Sequence, residues 1–182
     1  MENSPVFPTE ILDFPTEILD FPSEIQELQP TEGELYLRFY LPAVGEFALP
    51  AAGISEVIQQ PVDKIAPVPN ASLLLLGAIN LRGRIIWVAD LGKFLGYDGE
   101  LGVERGEIPT IILQNQDTIL GLAVESLGNM EWLDASRLRP GTDLPEAIAA
   151  YVEGEWSSKG TSQQVLRLLD HSAILRSARW VV

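Results

Sequence analysis

The chain has 182 residues, no cysteine, 26 acidic and 12 basic residues, and a formal net charge of −14. The lack of cysteine excludes disulfides and thiolate chemistry, and the acidic balance argues against a surface that binds nucleic-acid phosphates. Nine of the acids and no lysine or arginine lie in residues 1–34, so the remaining residues have a net charge of only −5.

Three tandem repeats, FPTEILD, FPTEILD and FPSEIQE, fill residues 7–27. A coiled coil is unfavourable there, because each proline removes a backbone donor and clashes with the preceding turn. We predict a disordered acidic leader over residues 1–33 and expect the rest of the chain to fold without it. The alternative is a multivalent docking segment with Phe7, Phe14 and Phe21 as its anchors, since disordered segments can fold on binding.

From residue 34 onward, short apolar runs alternate with Gly, Pro and Asn, which is typical of small β-barrels rather than of a doubly wound sheet. The segment 53–59 predicts either a strand or a helical turn. The remaining predicted strands are 34–41, 46–50, 77–81 and 84–90 around Arg82-Gly83, 110–115 and 118–127 around Gln116-Asp117, and 163–170.

Residues 73–91 form an apolar run that is long enough to suggest a membrane span. Arg82 and Arg84 lie at its middle, and one arginine at the bilayer centre already costs roughly 2.5–3.5 kcal/mol. The N-terminus also lacks the basic and apolar regions of a secretory signal. We therefore expect a cytoplasmic protein that does not insert into a membrane.

Two stretches of the chain resemble each other. IIWVADLGKFLG and VLRLLDHSAILRS each contain an apolar strand, an aspartate and a short apolar helix. Asp90 and Asp170 stand where a carboxylate can accept hydrogen bonds from the first free amides of each helix. The pattern predicts two similar modules, each closed by a small helix.

The sequence predicts no catalytic, cofactor or metal site. His171 is the only histidine, and we interpret it as a surface residue. Metal centres draw on several His, Cys or clustered carboxylates, and the usual nucleotide-binding glycine motifs are absent. An enzyme that uses only carboxylates on a small β scaffold is an alternative, because such mechanisms leave weak sequence traces.

Residues 75–96, LLGAINLRGRIIWVADLGKFLG, resemble the signature of CheW-type domains: Asn-Leu-Arg-Gly, an apolar strand, Asp-Leu and a short helix. Residues 36–59 resemble the first strands of that family, including its Glu-apolar pair at Glu56-Val57, and residues 110–134 resemble its second hairpin. YVEGEW and QQVLRLLDHSAILRS resemble the closing segments. The resemblance spans Glu34 to Ser177, and we assign residues 34–178 to one CheW-like domain.

This resemblance implies a mainly β fold of two five-stranded SH3-like barrels that share an apolar seam, with short helices. It further implies a non-enzymatic adaptor that couples a CheA-type histidine kinase to methyl-accepting chemoreceptors within a cytoplasmic array at the membrane. Relatives also serve type IV pilus motility, including phototaxis. The alternative is another SH3-like protein-interaction module with no link to chemosensing.

The resemblance also implies a partner-binding surface near the junction of the barrels, which receives the receptor helices. Its residues are Glu56, Val57, Asn80, Leu81, Arg82 and Gly83. By the same resemblance, Arg82 forms an ion pair with Glu56 beside the receptor groove, and a plain surface salt bridge is the alternative. Arg84 lies at the start of the second strand, where its head can reach water over its apolar stem.

Overall fold

The computed structural model of the protein describes residues 33–157 and 165–180. Within these residues, ten strands form two five-stranded sheets, and the helices are short. No helix in the described part of the chain is long and apolar enough to cross a bilayer. The leader, with Phe7, Phe14 and Phe21, lies outside the described residues.

The strands and helices alternate with tight turns along the described chain. The strands are β1 Glu34–Leu41, β2 Gly45–Pro50, β3 Ile54–Pro61, β4 Leu75–Leu81, β5 Arg84–Asp90, β6 Glu107–Asn115, β7 Thr118–Ala123, β8 Ser126–Leu133, β9 Val152–Ser157 and β10 Val165–Leu169. The α-helices are α1 Leu91–Phe94, α2 Glu146–Ala149 and α3 His171–Leu175. The segment 53–59 is therefore mainly strand.

The two sheets have equivalent topologies. The first has the order β8-β1-β2-β10-β9 and the second the order β3-β6-β7-β5-β4. In each sheet, an edge strand (β8 or β3) lies beside an antiparallel hairpin (β1–β2 or β6–β7). The second strand of that hairpin pairs in parallel with one strand of another hairpin (β9–β10 or β4–β5). A backbone bridge links Arg139 to Glu155 beside the first sheet, and another links Ala66 to Ala78 beside the second. Each sheet thus curls toward closure, and we call the two units the first and second barrels.

Three apolar clusters account for the packing. Tyr36, Ala48 and Leu168 fill the first barrel, and a separate cluster around Ile86 and Ile112 fills the second. The largest cluster lies between the sheets and combines residues from both, including Leu37, Phe39, Phe47, Ile111 and Leu122. We call this cluster the seam, and it confirms the predicted apolar contact between two barrels.

Alternation along β1 shows how one strand serves two cores. Tyr36 faces the interior of the first barrel, whereas Leu37 and Phe39 belong to the seam. Successive side chains of a strand point to opposite sides of its sheet. A strand buried on both sides therefore needs apolar residues at nearly every position, as ELYLRFYL has.

The predicted run 118–127 is two strands in two sheets. β7 ends at Ala123 in the second sheet, and β8 begins at Ser126 in the first. Between them the backbone N–H of Val124 donates to the Pro109 carbonyl, and that of Glu125 donates to the Tyr40 carbonyl. The polar residues Glu125 and Ser126 lie at the crossing between the sheets, but two polar residues within an apolar run also fit one continuous strand, so the hydrophobic pattern alone did not reveal the boundary.

The predicted aspartate caps are present. Asp90 Oδ1 accepts a hydrogen bond from the Lys93 N–H at 3.0 Å, and Asp170 Oδ1 accepts one from the Ala173 N–H at 2.9 Å. Burial raises the pKa of the Asp90 carboxyl, opposed by the backbone hydrogen bond from Lys93. Each cap lies at the end of the strand that pairs in parallel within its sheet, so the two modules are similar in structure as well as in sequence.

The ionisation of Tyr36 makes the stability of the first barrel depend on pH in the alkaline range. Burial and a hydrogen bond to Glu34 raise the pKa of its phenol to about 12. The folded state therefore holds this proton more tightly than the unfolded state, and stability falls as pH rises from about 10 toward 12. We expect Tyr36→Phe to lose less stability than the parent in this range, measured by denaturant unfolding at several pH values. Equal alkaline losses in the two proteins would contradict the assignment.

Candidate partner-binding site

The tight turn between β4 and β5 carries four of the six predicted partner-binding residues. Leu81 and Arg84 are paired across the hairpin, and Arg82 and Gly83 form its two-residue loop. Their φ angles are +50° and +85°, as a type I′ hairpin turn requires. Asn80 Oδ1 accepts a hydrogen bond from the Gly83 N–H at 2.8 Å, so a side chain fixes the turn from within.

The expected pairing of Arg82 with Glu56 is present and bidentate. Arg82 Nη1 donates to Glu56 Oε1 at 3.0 Å, and Nη2 donates to Oε2 at 2.7 Å. The arginine side chain is 78% exposed and the glutamate side chain 21%. A fork of two parallel hydrogen bonds fixes the guanidinium more strictly than a single contact does. The pair holds the β4–β5 turn against the edge strand β3.

Val57 lies on the opposite side of β3 from Glu56. Glu56 is paired with Ile112 of the second barrel's core, whereas Val57 is paired with Ile111 of the seam. Directly opposite residues share one side of a sheet, so Val57 is on the seam side, where it is 39% exposed. The six predicted residues therefore form two surfaces: the turn with its ion pair, and the seam side of β3.

Two exposed apolar residues of β8 were missed by the sequence analysis. Met130 and Trp132 are 50% and 56% exposed and are paired with Leu37 and Leu35 of β1. Leu37 belongs to the seam, so both side chains lie on the seam side of the first sheet. Their alternation with Asn129 and Glu131 was the available signal, but that pattern does not distinguish a buried side from an exposed one.

The environment of the single histidine, His171, differs from the predicted one. His171 is half-buried rather than on the surface as expected, because its ring packs on Gly53. Its Nδ1 is buried without a hydrogen-bond partner among the described residues, and Nε2 lies 3.4 Å from Ser172 Oγ. Across the described ranges, His, Asp and Glu side chains do not gather in threes as a metal ion would need.

Comparison with known proteins decides the family. A family model described as the CheW-like domain matches residues 36–179, which include strands of both barrels. The chain belongs to the CheW-like domain family. This is a family of non-enzymatic scaffolds whose members typically interact with CheA and with chemoreceptors.

Two known proteins are similar to this CheW-like chain over different lengths. The crystal structure of the scaffolding protein TtCheW from Thermoanaerobacter tengcongensis is 23% identical, with a TM-score of 0.64 over 76% of this chain and 89% of that one. This likeness establishes the fold. Protein PilI of Pseudomonas aeruginosa is 28% identical over 85 residues, which are 47% of this chain and 46% of PilI. The matched region thus spans about half the length of this curated relative.

Proposed function

We propose that the protein is a non-enzymatic adaptor that couples methyl-accepting chemoreceptors to a CheA-type histidine kinase. The observation that carries this proposal is the family match over residues 36–179, which covers strands of both barrels and the turn with its ion pair. The adaptor acts on the cytoplasmic side of the membrane, within receptor arrays. The likeness to PilI supports a place in type IV pilus motility.

The turn of Asn80, Leu81, Arg82 and Gly83, with Glu56, is the first proposed contact surface. Its backbone is fixed by Asn80, and its arginine by two hydrogen bonds. A side chain held in one orientation before binding loses less conformational freedom when a partner arrives. The exposed guanidinium is therefore suited to recognise a partner rather than only to hold two strands together.

The seam sides of the edge strands β3 and β8 are the second proposed surface. Val57, Met130 and Trp132 expose apolar area there, continuous with side chains buried in the seam. An amphipathic helix buries an apolar stripe along one side, and helix-in-groove binding is a common mode of recognition. We assign the helical tip of a chemoreceptor to this surface.

Reconstitution tests the proposal. Membranes that contain a chemoreceptor of the source organism are mixed with its CheA-type kinase, with and without the purified protein. We expect the kinase to sediment with the membranes and to change its autophosphorylation rate only when the protein is present. If the protein binds neither component, the alternative of an SH3-like interaction module unrelated to chemosensing is favoured.

A further inference from the structure

An apolar cleft opens on the seam side of β5 and β7, beside the C-terminal residues. Its volume is about 500 Å³, within the roughly 300–1,000 Å³ that is usual for ligand pockets. Its lining includes Trp87, Arg176 and Trp180. We call this the tryptophan cleft, and it involves none of the residues proposed above to bind the kinase or the receptor.

Stacking and a hydrogen bond hold Trp180 in place on one wall of the tryptophan cleft. The Trp180 ring stacks on Phe94 with ring centroids 4.2 Å apart, and its Nε1 donates a hydrogen bond to the Ile174 carbonyl at 2.7 Å. Trp87, which lies on β5, is 39% exposed, and Ile85 on the same side of that strand is 67% exposed. The cleft therefore combines a fixed aromatic wall with exposed apolar area that a bound segment can cover.

One basic residue, Arg176, lines the cleft. Arg176 is exposed and forms no ion pair within the described residues. Arg179, close by in sequence, is already engaged, since it donates to the Phe94 carbonyl and lies over the Phe94 ring. An apolar cleft with one unpaired arginine suits a segment that combines large apolar side chains with carboxylates.

The leader has this chemistry in triplicate. Each repeat places a phenylalanine, a glutamate and an isoleucine within five residues, as FPTEI, FPTEI and FPSEI. A chain has three such repeats, whereas the described residues provide one tryptophan cleft. Gly33 is 12 positions after Phe21 in the sequence, a span of up to about 40 Å when extended. Repeats in excess of clefts allow one leader to engage other copies.

We propose that the tryptophan cleft binds a phenylalanine repeat from the leader of a second copy, so that the leader links adaptor molecules to one another. The phenylalanine enters between Trp87 and Trp180, and the glutamate of the repeat pairs with Arg176. Linked repeats raise the local concentration of further repeats without new kinds of contact. The leader is thus a multivalent connector between copies of the protein.

Complementation between two full-length variants tests this proposal. The leader variant replaces Phe7, Phe14 and Phe21 by alanine, and the cleft variant is Trp87→Glu, which places a carboxylate against the acidic repeats. We expect the parent to associate with rising concentration in sedimentation velocity, and each variant alone to associate at least about tenfold more weakly. An equimolar mixture of the variants should regain association, because it contains an intact leader and an intact cleft.

Val68→Glu is the matched control, because it introduces the same carboxylate at an exposed apolar residue that neither lines the cleft nor belongs to the proposed contact surfaces. It should associate like the parent, and circular dichroism of every variant checks the fold. A parent that stays monomeric, or a mixture that sediments as two monomers, overturns the proposal. Association that appears only after Val181 and Val182 are deleted also overturns the proposal, because that result would mean that these two residues occupy the cleft in the full-length protein. Reconstitution with kinase and receptor is measured separately, so that failure of the proposed adaptor function can be distinguished from failure of self-association.

Discussion

Arg82→Ala should leave the protein folded and weaken its assembly with receptor and kinase by at least about tenfold. An exposed ion pair contributes only about 0–1 kcal/mol to stability, and the Arg82 side chain is 78% exposed. Alanine meets the same positive φ as arginine, so the backbone requirement of the turn does not change. Thermal unfolding measures the first effect, and co-sedimentation with receptor membranes measures the second.

Arg84→Ala is the matched control for this prediction. It removes an arginine from the same hairpin, and Arg84 has no ion-pair partner among the residues the structure describes. The exchange of Arg82→Glu with Glu56→Arg tests the pair itself: it should restore the salt bridge without restoring assembly. If Arg82→Ala unfolds the protein, or if assembly survives it, the arginine has a structural or incidental role.

Gly77→Ala should destabilise the protein by about 3 kcal/mol or more. A Cβ at this position would lie 2.3 Å from the carbonyl oxygen of Ala66, and the φ of +152° is one that residues with a side chain rarely adopt. The glycine follows a register shift in β4 and precedes Ala78, whose backbone exchanges two hydrogen bonds of 2.9 Å with Ala66. The substitution therefore strains the closure of the second barrel, and denaturant unfolding measures the loss.

Gly83→Ala separates crowding from backbone strain. Gly83 also has a positive φ, +85°, but a Cβ there meets no atom within 4 Å. We expect a loss of only about 1–2 kcal/mol from the left-handed conformation. Similar losses at both glycines would show that the 65–66 segment moves aside, and that close backbone packing does not explain Gly77.

Local features of the fold could be predicted from the sequence because they depend on neighbouring residues. The short apolar run of residues 34–41 identified β1, and the aspartate before each apolar helix identified both caps. The two-residue loop at Arg82-Gly83 was also predictable, because a turn of that length restricts its sequence. The pattern of short strands indicated small β-barrels, but the two five-stranded barrels with a shared seam came from the family resemblance. So did the Arg82–Glu56 pair, since Glu56 and Arg82 are 26 residues apart.

The pairing of distant strands could not be derived from the pattern. β1 pairs with β8, so that Tyr40 lies opposite Ser126, and an apolar alternation contains no information about its partner. For the same reason the exposed side of β8, with Met130 and Trp132, was not recognised. The half-buried environment of His171 depends on Gly53, which is far away in sequence.

The positions in the chain of the strands that form each barrel have a consequence for folding during synthesis on the ribosome. The second barrel uses consecutive strands, β3 to β7, whereas the first combines β1 and β2 with β8 to β10. More than 100 residues separate the end of β2 from β10, its parallel partner. At roughly 5–20 residues per second, translation takes about 5–25 s to supply that partner. During this interval the nascent β1–β2 hairpin exposes unpaired strand edges, which places it among the segments that chaperones protect from aggregation.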